Sequence, residues 1–175
     1  MGLNAKDLKS FGMQWLRFQK QCYIVCTEAG NFHSDVYGIN DTFSIEMEVK
    51  ISKSDLLNDF KKPKHGIYKS LDVKYINDIP NYFYYLIPYS LKFDADNMCK
   101  GTPYGIILSD TNKLMEGKFS IFKPAKRIHN NKPTESLKKL FMLRMASELA
   151  NYHLNFEKII KQIQLGFSET TEYLA

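Results

Sequence analysis

The chain has 175 residues, 44% of them hydrophobic and 25% charged, enough apolar material for one core of ordinary size. An aromatic content of 14%, without a low-complexity tract or an internal repeat, excludes a disordered chain and a solenoid array. The net charge of +5, with a pI near 8.9, is compatible with a polyanionic partner without demanding one.

The opening run MGLNAKDLKSFGMQWLRFQ carries charges throughout and lacks the apolar stretch and small-residue cleavage site of a secretory signal. No later stretch approaches an uncharged membrane span, so a soluble, cytoplasmic protein with no membrane partner is expected. Lys6 stands where a myristoylation signal needs Ser or Thr. Cys22, Cys26 and Cys99 make neither an even disulfide set nor a CxxC pair, which suits a reducing compartment. A metal site built from Cys22, Cys26 and His33 would want a fourth ligand at motif spacing, and ordinary half-buried thiols are expected instead.

From about Ala5 to Lys20, Leu8, Phe11, Trp15, Leu16 and Phe18 recur mostly at three- and four-residue steps, the pattern of an amphipathic helix with Trp15 in the core. QCYIVCTEAG reads as a first strand closed by Gly30-Asn31, and SDVYGI as a second that ends at Asn40-Asp41. The third strand, TFSIEMEVKIS, alternates strictly. Phe43, Ile45, Met47, Val49 and Ile51 form an apolar core face, while Ser44, Glu46, Glu48 and Lys50 form a polar one. SDLLNDFKKPKHGIYKSL reads as helical at its start, with Ser54 or Ser52 as the cap and Pro63 ending or bending that helix. YFYYLIP and YGIILSD read as buried strands and KFSIFKP as an edge strand. PTESLKKLFMLRMASELANYHLNFEKIIKQIQ is a long helical stretch capped by Thr134, with a break expected near Asn151. The expectation is one α/β domain over 1–175: a mixed sheet flanked by helices, with a core at about 22–150, an N-terminal helix at 5–20 and a C-terminal helical segment at 134–164.

Two adjacent strands lie about 4.8 Å apart, so a hairpin around Asn40-Asp41 brings the carboxylates of Asp35 and Glu48 together on one face. Two hard oxygen ligands suit Mg²⁺ or Mn²⁺, which keeps waters and takes substrate phosphate oxygens for its remaining positions. Lys50, about 7 Å further along that face, can reach back to orient a water or offset developing charge. The same Glu-x-Lys spacing also describes an exposed ion pair of little consequence.

The stretch from Asp35 to His65, with its E-V-K strand leading into Ser52, Ser54, Asp55, Asp59 and Lys61, resembles the PD-(D/E)XK nuclease superfamily, and more closely its MmcB-like DNA-repair and phage relatives. The resemblance extends through NYFYYLIP, YGIILSD and Pro124-Ala125, and departs at Ser34, where the superfamily name has Pro. It implies a restriction-endonuclease-like fold and a Mg²⁺- or Mn²⁺-dependent endonuclease of DNA repair, DNA processing or phage DNA metabolism. Asp35 and Glu48 match the metal-binding acids, Lys50 matches the catalytic lysine, and Glu28 is the candidate additional acid.

Lys61, Lys62 and Lys64 are candidate phosphate contacts, with Lys61 favoured by the family pattern. Lys126, Arg127 and Arg144 are possible extensions of that track. Basic residues concentrate in KISKSDLLNDFKKPKHGIYKS and in KFSIFKPAKRIHNNK, two zones that could flank one groove. Glu46 is expected at the solvated margin, His65 lacks a visible partner for proton transfer, and the Tyr82 to Tyr85 aromatics read as core and not as a base-stacking platform. The expected partner is DNA, with a homodimer possible because one small site cuts one strand at a time. The alternative is a catalytically inactive nuclease-fold module that binds nucleic acid or protein.

Overall fold

The computed structural model describes residues 4–109 and 120–172. Six strands, β1 Ile24–Ala29, β2 Ser34–Ile39, β3 Ser44–Val49, β4 Tyr82–Pro88, β5 Gly105–Ser109 and β6 Ser120–Lys123, form one mixed sheet in sequential order. The first three run antiparallel as a meander, β3 to β5 are parallel, and β6 returns antiparallel at the edge. Among the described residues five α-helices flank the sheet: α1 Ala5–Gln14, α2 Lys53–Phe60, α3 Pro63–Ser70, α4 Lys92–Met98 and α5 Glu135–Glu172. The α/β architecture expected from the sequence is therefore present.

Local chemistry accounts for where the helices begin. Asn4 and Asp7 close a reciprocal capping box on α1, which continues into a single π turn, Trp15–Gln19, that seats Trp15 and Leu16 in the core. Ser52 caps α2 by accepting from the Asp55 N–H at 3.2 Å. Pro63 opens α3, where its missing N–H costs nothing; α2 has ended at Phe60, and the second helix is not among the sequence expectations. Thr134 Oγ1 accepts from the Leu137 N–H at 3.2 Å at the head of α5. That helix runs without a break through Asn151, because Asn costs only a fraction of a kcal/mol inside a helix. The helix α4 is not among the sequence expectations; its short KFDADNM run carries little apolar periodicity.

The strands bury two apolar layers. Leu8, Trp15, Leu16, Val36, Met47 and Leu86 pack between α1 and one face. Leu56, Tyr68, Phe83, Tyr85, Ala95 and Tyr104 pack beneath α2, α3 and α4 on the other. The start of α5 closes the β1–β2 end through Leu137 and Phe141, whose ring lies 4.5 Å from that of Tyr37. Phe83, Tyr84 and Tyr85 are core, as the sequence suggested, and Cys22, Cys26 and Cys99 are free and buried.

Two expectations for β3 change. Every residue from Ser44 to Val49 is buried, so the polar face is enclosed and not solvated. Ile51, placed on the core face by alternation, is 49% exposed because the strand stops at Val49.

Tyr84 lies beside Gly105 in the β4–β5 register, and its ring covers the glycine. A Cβ at position 105 would come within 2.3 Å of Tyr84 and 2.7 Å of the Ala125 backbone nitrogen. Gly105→Ala is expected to destabilise the fold by about 1–3 kcal/mol, read as a shift of the urea midpoint at unchanged slope.

Candidate active site

The β2–β3 hairpin pairs Val36 with Met47, so one step along the ladder Asp35 stands opposite Glu48. Asp35 Oδ2 accepts from the Val49 N–H at 3.0 Å and from Lys50 Nζ at 3.0 Å. The same ammonium donates to Glu48 Oε2 at 2.5 Å and lies 3.4 Å from Asp59 Oδ1. Three carboxylates thus converge on Lys50. The triad read from the sequence assembles because the turn is short and the side-chain period is two, both local properties.

The helices over β3 supply the remaining charge. Lys64 of α3 donates to Glu48 Oε1 at 2.5 Å and to Glu46 Oε1 at 2.8 Å. Tyr68, one helical turn on, donates to Glu46 Oε2 at 2.6 Å. Glu46 is therefore a buried member of the network and not a margin residue. Lys64, read as a phosphate contact, is 3% exposed and committed to these acids; the helical phase of α3 turns it inward with His65 and Tyr68. Lys61 and Lys62 remain exposed, although Lys62 Nζ lies 2.6 Å from Asp59 Oδ1.

Asp59 joins two groups. Its Oδ2 accepts from Tyr85 at 3.0 Å and lies 3.3 Å from His65 Nε2, while His65 Nδ1 meets the Tyr104 hydroxyl at 3.0 Å. The partner that His65 lacked in the sequence is thus Asp59, six residues away across the α2–α3 junction. Inward polar residues at 64, 65 and 68, facing the alternating acids of β3, were the available signal.

Glu28 lies outside the convergent set. It takes a left-handed φ of 48° between ladder residues Thr27 and Ala29, its side chain is 51% exposed, and it is linked to Asp35 only through Lys9 of α1. Lys9 Nζ lies 2.8 Å from Asp35 Oδ1 and also pairs with Glu28. Arg144 docks α5 on β1 through the Thr27 carbonyl at 3.1 Å and pairs with Glu148, and Lys126 and Arg127 are exposed on the far side of the sheet sequence, after β6.

Burial pushes the Asp35 carboxyl up, but the Lys50 charge and the Lys9 hydrogen bond outweigh it and hold the group at about 2. For Glu48 burial prevails: with Glu46 and Asp59 adding repulsion against the pull of Lys64 and Lys50, its carboxyl is pushed up to about 8. The innermost set explains the sign, since the three acids Glu46, Glu48 and Asp59 face two buried lysines, Lys50 and Lys64, and Lys62 reaches Asp59 from the surface. Asp59 is held well below the usual range; desolvation opposes this, but the His65 hydrogen bond and the Lys64 and Lys50 charges win.

The donor set is of the right kind for a hard divalent cation. Asp35 Oδ2 and Glu48 Oε2 lie 3.0 and 2.5 Å from one nitrogen, so both can address a single cationic position. No group of three or more His, Cys, Asp or Glu arranged for a metal occurs among the described residues. Magnesium, however, needs only one or two carboxylates.

No family model matches the sequence, and no curated protein matches it. Among the described residues no helix is long and apolar enough to cross a membrane. The chain is an α/β domain with a buried carboxylate–ammonium cluster at the open end of the β2–β3 hairpin.

Proposed function

We propose that the chain is a metal-dependent endonuclease of the PD-(D/E)XK type, acting on DNA. The observation that carries this reading is the convergence of Asp35 and Glu48 on the Lys50 ammonium, at 3.0 and 2.5 Å, at the start of β2 and the end of β3. The motif resemblance adds the segment after that strand, Ser52, Ser54, Asp55, Asp59 and Lys61.

Asp35 and Glu48 would hold Mg²⁺ or Mn²⁺, which when bound polarises a phosphoryl oxygen and lowers the pKa of water. Lys50 positions the attacking water and offsets the negative charge that grows on the phosphoryl oxygens. Lys64 and Tyr68 hold Glu46 and Glu48 in place, and Glu48, Asp35 and Asp59 together keep Lys50 charged. Glu28 acts through Lys9 as a positioning residue. Lys61 and Lys62 supply sequence-independent phosphate attraction from the surface.

The test is incubation of purified protein with single- and double-stranded DNA in Mg²⁺, Mn²⁺ or EDTA. Cleavage should require the divalent ion. Glu48→Gln and Asp35→Asn should each reduce it by about 10²-fold or more, the loss expected when a preorganised charge is removed from a reacting centre. Cleavage that persists in EDTA, or in Glu48→Gln at the wild-type rate, would reject the assignment.

One observation favours a second reading, a binding module that keeps the fold as scaffold: each inner carboxylate already lies within ion-pair distance of a lysine. Calorimetric titration with Mn²⁺ separates the two, since a scaffold takes up no ion that Glu48→Gln abolishes.

A further inference from the structure

Beside the carboxylate cluster, behind α3, lies an open cavity of about 510 Å³, within the range of small-molecule and nucleotide sites. Its inner wall is aromatic: Phe60 stacks on His65 at 5.2 Å and 15°, and Tyr104 stands edge-on to Phe60 at 6.2 Å. Its rim is cationic, with Lys69 from α3, Lys100 after α4, and Arg127 after β6. No Asp or Glu is among the described residues that line it. The two basic zones of the sequence meet here.

The rim charges are available. The Arg127 guanidinium is held by the carbonyl oxygens of Thr42 at 3.0 Å and His129 at 3.1 Å, which fix it without neutralising it. Lys69 and Lys100 form no ion pair among the described residues. Aromatic surface inside and fixed positive charge outside is the combination that takes a planar base and its phosphate together. The cavity also shares a wall with the cluster. His65 lines it and reaches Asp59 at 3.3 Å, and Asp59 lies 3.4 Å from Lys50.

We infer that this cavity binds one nucleotide unit, base against Phe60 and Tyr104 and phosphate toward Lys69, Lys100 and Arg127. It rests on the nuclease reading only in placing that nucleotide within a DNA strand, where it must be unstacked. Single-stranded, flapped or frayed DNA supplies such a nucleotide, and an intact duplex does not.

Gly66 provides a clean probe. It lines the cavity, and a Cβ built there meets nothing within 4 Å. Gly66→Leu therefore adds apolar volume at the cavity wall from a Cβ with open space around it and replaces a poor helix former inside α3, so its melting temperature should equal or exceed that of wild type. Binding of deoxyadenosine monophosphate and of a fluorescent single-stranded oligonucleotide is measured in EDTA by calorimetry and anisotropy, for wild type, Gly66→Leu and Lys69→Glu/Lys100→Glu.

Loss of one base stack predicts about tenfold or more weaker binding in Gly66→Leu. The double charge reversal should weaken binding further and flatten its salt dependence. Saturable binding of the mononucleotide, lost in Gly66→Leu, assigns the cavity to free nucleotides. Binding of the oligonucleotide alone, again lost in Gly66→Leu and absent for duplex, assigns it to a strand. Equal affinities of wild type and Gly66→Leu for both ligands overturn the inference, even if the wild type cleaves DNA. Nucleotide binding without cleavage in any metal leaves it standing while rejecting the nuclease reading.

Discussion

Lys50→Met is expected to lower stability by about 3–5 kcal/mol, because removing one partner of a buried ion pair leaves the other charges uncompensated. For a chain of this size that is a fall in Tm of roughly 6–20 °C. Lys50 is 4% exposed, and three carboxylates, Asp35, Glu48 and Asp59, converge on its ammonium. Lost cleavage in this variant would therefore mix chemistry with folding. The double variant Lys50→Met/Glu48→Gln separates them. It leaves Lys64 with Glu46, Asp35 with Lys9 and Asp59 with Lys62. Above a pH of about 8, where Glu48 would otherwise ionise beside no Lys50, recovery of about 1–3 kcal/mol relative to the single variant is expected, with cleavage still absent. Calorimetric melts alongside activity at a temperature below every transition give both readouts. A double variant that is folded, stable and active would remove Lys50 and Glu48 from the reaction.

The metal-free protein should lose stability as pH rises from about 4.5 toward about 8, and change little from this source above that. Glu48 keeps its proton in the folded state up to about 8, whereas the unfolded chain releases it near the ordinary 4.5. Between those values the unfolded state binds fewer protons, so the slope of stability with pH is negative. Asp35 acts in the opposite direction. Its carboxyl is depressed from 3.8 to about 2, so its contribution is complete above the ordinary value and is lost as pH falls through about 2. Asp59 adds to this acid-side loss. The two slopes meet between pH 4 and 5. Glu48→Gln should flatten the alkaline-side slope and leave the acid-side loss intact. Urea denaturation in EDTA at pH 5, 6.5 and 8 measures it, and a wild-type midpoint that rises across that interval would contradict the assigned shift.

The hairpin and its three central residues were legible because their determinants are local. SDVYGI and TFSIEMEVKIS alternate with period two, Asn40 caps the intervening turn by accepting from the Thr42 and Phe43 N–H groups at 2.9 Å, and register then brings Asp35 opposite Glu48. The cap at Thr134 was legible for the same reason, and that of α2 was narrowed to Ser54 or Ser52, of which Ser52 is the cap. The α2–α3 division was only half legible, since a proline can as easily begin a helix as end one.

Sequence by itself therefore determined the α/β class, the order of the strands along the chain and the Asp35, Glu48 and Lys50 constellation, all of which follow from spacing within a few dozen residues. Tertiary structure alone decided what faces that constellation. The rotation of α3 over the sheet turned Lys64 from a surface cation into a buried counter-charge, gave His65 its partner in Asp59, and enclosed Glu46. It also brought Lys69, Lys100 and Arg127, from three separate segments, to one cavity. Helix azimuth is fixed by packing against strands far away in the chain, and no local spacing encodes it.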